Sequence, residues 1–313
     1  MKKILNIGEA MALFVANEVG DLEDINNFTK YTAGAEMNVA VGLARLGYNS
    51  LYSTILGDDP LGSYIKKFLE NENINMKYVF TSDEFFTGLM FKSKVTNGDP
   101  KVAYYRKNSA CSHFNMQLAN KIDLSEIDIF HSTGIMLAIS ESAREVVFAL
   151  KNIALGMGKI ISFDPNIRLS LWENKEKMVE TINEFAKDCD YFLPGIGEGE
   201  ILTGFKYPED IADFYIDLGV KNVIVKLGAS GGFYKKDTGE SGFVSGFHVS
   251  NVVDTVGAGD GFATGIISGI LDECNIEEML KRACAIGAIQ VMNKSDNEGL
   301  PTKEELELFM KRG

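Results

Sequence analysis

The run Asp254-Thr255-Val256-Gly257-Ala258-Gly259-Asp260-Gly261-Phe262 sets a carboxylate directly behind a turn of small residues. Upstream, residues 247–253 alternate as a strand would; downstream, Phe262, Ile266, Ile267 and Ile270 recur at helical spacing. Gly257, Ala258 and Gly259 would therefore open a helix, where backbone N–H groups lack intrahelical partners and the dipole favours an anion. Small residues let a phosphate approach that backbone closely. Asp260, within the first helical turn, would lie beside the bound anion, well placed to take the proton of an incoming hydroxyl. The chemistry implied is phosphoryl transfer, with Asp260 as general base and the 257–259 turn as donor to the charge on the moving group. The plainer reading makes Asp260 a helix cap. A dinucleotide fingerprint needs its third glycine three residues after the second, which Gly261 is not, and no Gly-x-x-x-x-Gly-Lys-Ser/Thr occurs.

Three further groups carry chemistry. Asn166 and Arg168 follow a strand that ends at Asp164, and the Arg168 fork can clamp a phosphate or carboxylate, or merely form a surface ion pair. Gly34, Ala35, Glu36 and Asn38 form a second turn into a helix, suited to holding a polyol, although Asn38 can equally cap that helix. Tyr104 and Arg106 share one face of an extended segment, so a phenol and a guanidinium together make a carboxylate receptor, or else an exposed pair on a hairpin.

In order and wide spacing, these groups resemble the ribokinase-like (PfkB) carbohydrate kinases over essentially the whole chain. One signature is Thr32-Ala33-Gly34-Ala35-Glu36-Met37-Asn38-Val39-Ala40 with Leu43-Ala44-Arg45-Leu46-Gly47; another is the 254–262 run. Between them lie Asp164-Pro165-Asn166-Ile167-Arg168 and Lys226-Leu227-Gly228-Ala229-Ser230-Gly231. Gly8-Glu9 resembles the start of the family's sugar-acid kinases, and Gly34-Ala35-Glu36-x-Asn38, Tyr104-Tyr105-Arg106-Lys107-Asn108-Ser109-Ala110 and Asp164-Pro165-Asn166-Ile167-Arg168 with Leu171-Trp172 behind are similar to marks of its 2-keto-3-deoxygluconate kinases. The resemblance implies ATP as co-substrate, Mg²⁺, and a sugar acid phosphorylated at its 6-hydroxyl. A fructokinase or another sugar kinase of the family, or a non-catalytic sugar-acid sensor, are the alternatives. It implies ATP contacts from Asn166, Arg168, Lys226, Gly228, Ala229, Gly231 and the 257–259 turn. Sugar contacts would come from Gly34, Ala35, Glu36, Asn38, Tyr104, Arg106, Asp260 and Asp296, the last being equally suited to forming a turn. Glu198 resembles the acidic end of the family's Asn-x-x-Glu motif, which orients magnesium through water, but Gly195 stands at the Asn position. Magnesium keeps several waters, so few protein ligands are required.

Strand-like runs at 4–7, 127–131, 159–163 and 223–226 alternate with helical patterns at 37–46, 143–155 and after Gly259. This predicts an α/β fold, a mostly parallel sheet with helices on both faces; the resemblance implies that it is ribokinase-like, in one kinase domain over 1–313. Segments 11–32 and 86–106 break the rhythm and read as a small β-lid, with Asn97-Gly98-Asp99-Pro100 as its turn. The chain has 313 residues, 45% hydrophobic, enough for a large core. A formal charge of −13 and a pI near 4.8 argue against nucleic acid or an anionic membrane as partner. The resemblance implies a small sugar acid as partner, and further copies of the chain are expected beside it. Glu9, Glu18 and Asp21 spoil any reading of the start as a signal peptide, and no apolar run approaches a bilayer span, so a cytoplasmic location is expected. Four scattered cysteines and three isolated histidines have no metal-site spacing, and reduced thiols are expected.

Overall fold

A computed structural model describes residues 2–96 and 100–312, and its strands form two sheets. They are β1 (Lys3–Ile7), β2 (Met11–Val19), β3 (Phe28–Ala33), β4 (Asn49–Gly57), β5 (Asn75–Ser82), β6 (Leu89–Lys94), β7 (Val102–Tyr105), β8 (Ile129–Thr133), β9 (Ile160–Asp164), β10 (Tyr191–Phe192), β11 (Asn222–Lys226), β12 (Gly231–Lys236) and β13 (Ser241–Ser245). The nine-stranded sheet runs β13-β12-β11-β10-β9-β8-β1-β4-β5 and is parallel except where β12 pairs antiparallel with β11 and β13. Strand parity decides which side each apolar residue serves. Leu5 and Ile7 of β1 join one buried cluster, while Ile4 joins the opposite one, as expected of a strand covered on both faces. Helices Glu141–Gly156, Lys175–Ala186 and Pro208–Asp217 cover the first face; Ala35–Arg45, Ala258–Leu271 and Ile276–Val291 cover the second. The ribokinase-like architecture expected from the alternation and the resemblance is therefore present.

The two aperiodic segments form the second sheet, in the order β3-β2-β6-β7. Met11, Leu13, Ala33 and Met90 pack on its inner face, while the rings of Phe14, Phe28, Phe91 and Tyr105 meet on the other. Residues 97–99 of the expected turn between β6 and β7 lie outside the described residues. One expected strand is absent: residues 246–255 form neither helix nor strand. Their alternation serves a different purpose, since Phe247, Val249 and Val252 line a cavity wall instead of entering a ladder. The segment is tied instead by Val253 and Asp254 N–H groups donating to the Val291 carbonyl. The carboxyl ends of β1, β8, β9 and β11 deliver Gly8-Glu9, Thr133, Asp164 and Lys226 to one edge, where open α/β sheets bind ligands.

Candidate active site

Two cavities meet at that edge. One, of about 420 Å³, is lined by residues of both sheets, among them Glu9, Gly34, Asn38, Lys92, Tyr104, Arg106, Asp164, Asn166, Arg168, Asp260 and Asp296. The other, of about 410 Å³, is mostly apolar and includes Gly228, Ala229, Gly231, Val249, Val252, Phe262, Cys284 and Ala288. Lys226, Thr255 and Gly259 line both.

The Ala258–Leu271 helix begins at Gly257, whose φ of 80° is left-handed. A Cβ there would lie 2.2 Å from the Asp296 carbonyl oxygen, so both conformation and space demand glycine. Gly34 opens the Ala35–Arg45 helix in the same way, with φ of 150° and the Glu9 carbonyl 2.5 Å from a would-be Cβ. Asn38 therefore sits inside that helix and does not cap it. Its amide donates to Asp260 Oδ2 at 2.7 Å, while its Oδ1 accepts from the Asn297 amide at 3.1 Å. Asn166, held at a left-handed φ of 33°, donates to Asp260 Oδ1 at 3.5 Å. The Asp260 carboxylate is thus bound by side chains and does not cap its own helix.

Asp260 departs from an ordinary aspartate. Burial pushes its carboxyl up to about 7; the Asn38 bond opposes this, Asp164 adds to it, and Arg168 opposes it. Asp296, deeply buried with Oδ1 lacking a hydrogen-bond partner, is pushed up by burial to about 6, with Lys92 working against the shift. Lys226 bonds Asp164 at 2.7 Å and lies 3.9 Å from Glu198. Burial would depress its ammonium, but Asp164 and then Glu198 outweigh that and raise it. Lys226 is therefore a charged member of the junction between the cavities, a larger part than its place in a nucleotide-bordering run implied. No carboxylate lies within ion-pair distance of exposed Arg168 among the described residues, so the surface-pair reading of that residue finds no support.

Arg106 and Tyr104 do reach the same cavity, with the guanidinium carbon 5.7 Å from the Tyr104 ring centroid. Arg106 is only 8% exposed and is ion-paired with Glu9, which also accepts from the Ser109 hydroxyl. The Arg106 Nε is buried without a hydrogen-bond partner, while the residue as a whole lines the cavity. Arg106 is thus buried and ion-paired, whereas Tyr104 is 41% exposed at the cavity mouth.

Glu36 departs from the expected sugar contacts. It is fully buried beneath the turn, accepts from the Thr133 hydroxyl at 2.6 Å, and does not line the cavity. Burial pushes its carboxyl up to about 7. The reason is geometric: Ala35 and Asn38 lie on the helix side that faces the cavity, and Glu36 lies on the side that faces β1 and β8. Glu198 lines the cavity, with its oxygens accepting from Ile167 N–H at 2.8 Å and Gly195 N–H at 2.7 Å. Gly195 thus leaves the helix start without a capping side chain, and Glu198 supplies the reciprocal bond. Among the described residues no group of three or more His, Cys, Asp or Glu is placed to hold a metal.

Sequence reading overlooked Lys92. It pairs with Asp254 at 2.5 Å, and only 6% of its side chain is exposed. The available signal was parity, since Lys92 shares the inward face of β6 with buried Met90. Asn297, which bridges Asn38 and Thr32, was also overlooked, and nothing local marks it.

No helix among the described residues is long and apolar enough to cross a membrane. Residues 1–303 match the family described as pfkB family carbohydrate kinase. The 2-dehydro-3-deoxygluconokinase of Bacillus subtilis is 47% identical over 307 residues, covering 98% of this chain and 94% of that protein. Among solved structures, a PfkB protein from Polaromonas aligns with a TM-score of 0.89 at 42% identity, covering 98% of this chain and 99% of the other. A putative ribokinase II from E. coli in complex with ATP and Mg²⁺ aligns with a TM-score of 0.89 at 27% identity over 100% of both chains. Sequence signatures, sheet order and full-length similarity agree: the chain is a sugar kinase and belongs to the PfkB family of carbohydrate kinases.

Proposed function

We propose that the chain transfers the γ-phosphoryl group of ATP to the 6-hydroxyl of 2-keto-3-deoxygluconate. The observation that carries this reading is Arg106, a guanidinium braced by Glu9 that lines the same cavity as Asp260. A chain with a net charge of −13 needs such a local cation to hold an anionic sugar. The similarity to an enzyme named 2-dehydro-3-deoxygluconokinase supports the same assignment.

In the step itself Asp260 takes the hydroxyl proton while the sugar oxygen bonds to the γ-phosphorus. The bond from that phosphorus to the β-bridging oxygen breaks, and ADP departs. A carboxyl near pH 7 is well matched to this work, because a base performs best when its pKa lies near the working pH. The N–H groups of Gly257, Ala258 and Gly259 face the developing charge. Arg168 and Lys226 add positive charge along the phosphate path, and Asn166 orients the base. Adenine occupies the apolar cavity beside Gly228, Ala229 and Gly231, and the triphosphate passes Lys226 and Gly259, which line both cavities. Gly34, Ala35, Asn38, Tyr104, Arg106 and Asp296 surround the sugar acid. The small sheet acts as its lid and excludes water that would otherwise hydrolyse ATP.

Magnesium fits as a water-shelled ion. Glu198 lines the cavity, both its oxygens already accept backbone N–H groups, and a triphosphate can supply direct ligands. When bound, the ion would neutralise phosphate charge in transfer. The reading sets the enzyme in the cytoplasm, where ATP is plentiful.

An ATP-consumption assay across aldonates, keto-deoxy acids and hexoses tests the assignment. The keto-deoxy acid should give the highest kcat/KM, and equal efficiency with fructose would overturn the sugar-acid reading.

A further inference from the structure

The turn proposed to hold the transferring phosphate is tied to the Ile276–Val291 helix through Val291 and Gln290, but it lacks the strand its position suggests. No strand leads into it: residues 246–255 are irregular, and Val252 and Val253 are 57% and 43% exposed. A geometry that must hold a γ-phosphate in line is therefore served by a further anchor. Asp254 provides it at the start of the turn. Its Oδ1 accepts from Val256 N–H at 3.1 Å, bracing the chain just before Gly257. Its Oδ2 receives the ammonium of Lys92 at 2.5 Å.

Lys92 belongs to the other sheet. It lies on β6, an interior strand of that sheet, paired with Val15 of β2 and Val102 of β7. Its backbone is therefore carried by the sheet that covers the sugar cavity, and its ammonium ties that sheet to Asp254. The pair is nearly enclosed, with 6% of the Lys92 side chain and 19% of Asp254 exposed. Breaking such a pair strands a buried charge, so its geometry is held firmly.

We infer that Lys92 is a positioning residue for phosphoryl transfer, coupling the small sheet to the phosphate-binding turn through Asp254. Sugar bound beneath the sheet then sets the turn, and the γ-phosphate is aligned only when an acceptor is present. The inference rests on the reading that residues 257–259 receive the phosphate. Failure of that reading would appear separately, as near-normal turnover in a folded Asp260→Asn enzyme.

The test compares Lys92→Met, Lys92→Arg, Asp254→Asn and the Lys92→Met/Asp254→Asn pair, reading kcat, both KM values and Tm with the sugar acid and ATP. Lys92→Met and Asp254→Asn should each lower kcat by about 10- to 100-fold, since small misplacements of reacting groups cost up to about two orders of magnitude. KM for the sugar acid should change by less than about threefold, because on this inference the Lys92 ammonium is held by Asp254 and not by the sugar. Lys92→Arg should recover most of the turnover. The double variant should regain Tm, as neutral replacement of a buried pair often does, yet keep the low kcat. Recovery of kcat together with Tm would make the pair purely structural and overturn the inference. So would a raised sugar-acid KM in Lys92→Met that Asp254→Asn does not share, which would make Lys92 a direct sugar contact. Should Lys92→Met fail to fold, a folded Asp254→Asn enzyme with normal kcat would overturn it equally.

Discussion

The two cavities are nearly equal in volume, about 410 and 420 Å³, yet they are built on opposite physical plans. The one assigned to the nucleotide is walled by glycine, alanine, valine and Phe262, with Lys226 where it meets its neighbour. The one assigned to the sugar acid gathers Glu9, Lys92, Arg106, Asp164, Arg168, Asp260 and Asp296. An apolar wall spreads its contribution over many weak contacts, each about 0.1–0.2 kcal/mol, so no single side chain dominates. Buried charges concentrate theirs, because each must be paired or pay for its desolvation. Single substitutions should therefore be tolerated in the first cavity and costly in the second.

The largest expected effect falls on the base. Asp260→Asn should lower kcat by about 10²–10⁴-fold, the usual weight of a positioned general base, while folding and ATP binding persist. Steady-state kinetics with a calorimetric check of nucleotide binding decide it. Near-normal turnover would remove Asp260 from the mechanism.

Next comes the carboxylate receptor. Charge-assisted hydrogen bonds contribute about 1.5–3 kcal/mol each, so Arg106→Ala should raise KM for the sugar acid by about ten- to a hundredfold with little change for ATP. Arg106→Lys should recover only part, because a point charge does not reproduce the planar fork. If Arg106→Ala weakened acid and neutral sugars alike, its role as an acid receptor would be lost.

The titration of Asp260 offers a sharper comparison. Its carboxyl is raised to about 7 by burial, and the base works only when ionised. With this single ionisation in control, kcat/KM should be level above pH 7 and fall about tenfold per unit on the acid side. A profile still flat at pH 5.5 would show that substrate-free Asp260 is ionised there. The stability consequence has the opposite sense. Glu36, Asp260 and Asp296 all have raised folded-state values. Their neutral forms stabilise the fold fully below the ordinary carboxylate range, and that contribution is lost as pH rises through about 6 to 7. Glu36→Gln should therefore lessen the decline in Tm between pH 5 and 8, as measured by scanning calorimetry.

The smallest effect belongs to the apolar cavity. Cys284 lines it, and burial pushes its thiol up to about 11, so it acts there by packing alone. Cys284→Ala should alter KM for ATP by less than about threefold and leave the sugar acid unaffected. A tenfold change would erase the contrast between the cavities.

Much of this molecule is legible from local pattern. Runs such as Val223-Ile224-Val225 are apolar because both sheet faces are covered, and the small residues at 257–259 mark a tight turn in the sequence, so fold class and anion turn follow from the chain itself. Tyr104 and Arg106 were readable as a pair because strand parity is strict. Parity read without tertiary context was also the source of error at residues 247–253, where alternation marks a cavity wall. What tertiary structure alone decided is which charges meet. Glu9 with Arg106, Lys92 with Asp254 and Asn38 with Asp260 are separated by 97, 162 and 222 positions. The helix face that turned Glu36 inward was likewise settled by packing against β1 and β8. Burial and charge proximity are properties of assembled elements, so the raised titrations of Asp260 and Asp296, and the chemistry they permit, exist only in the folded chain.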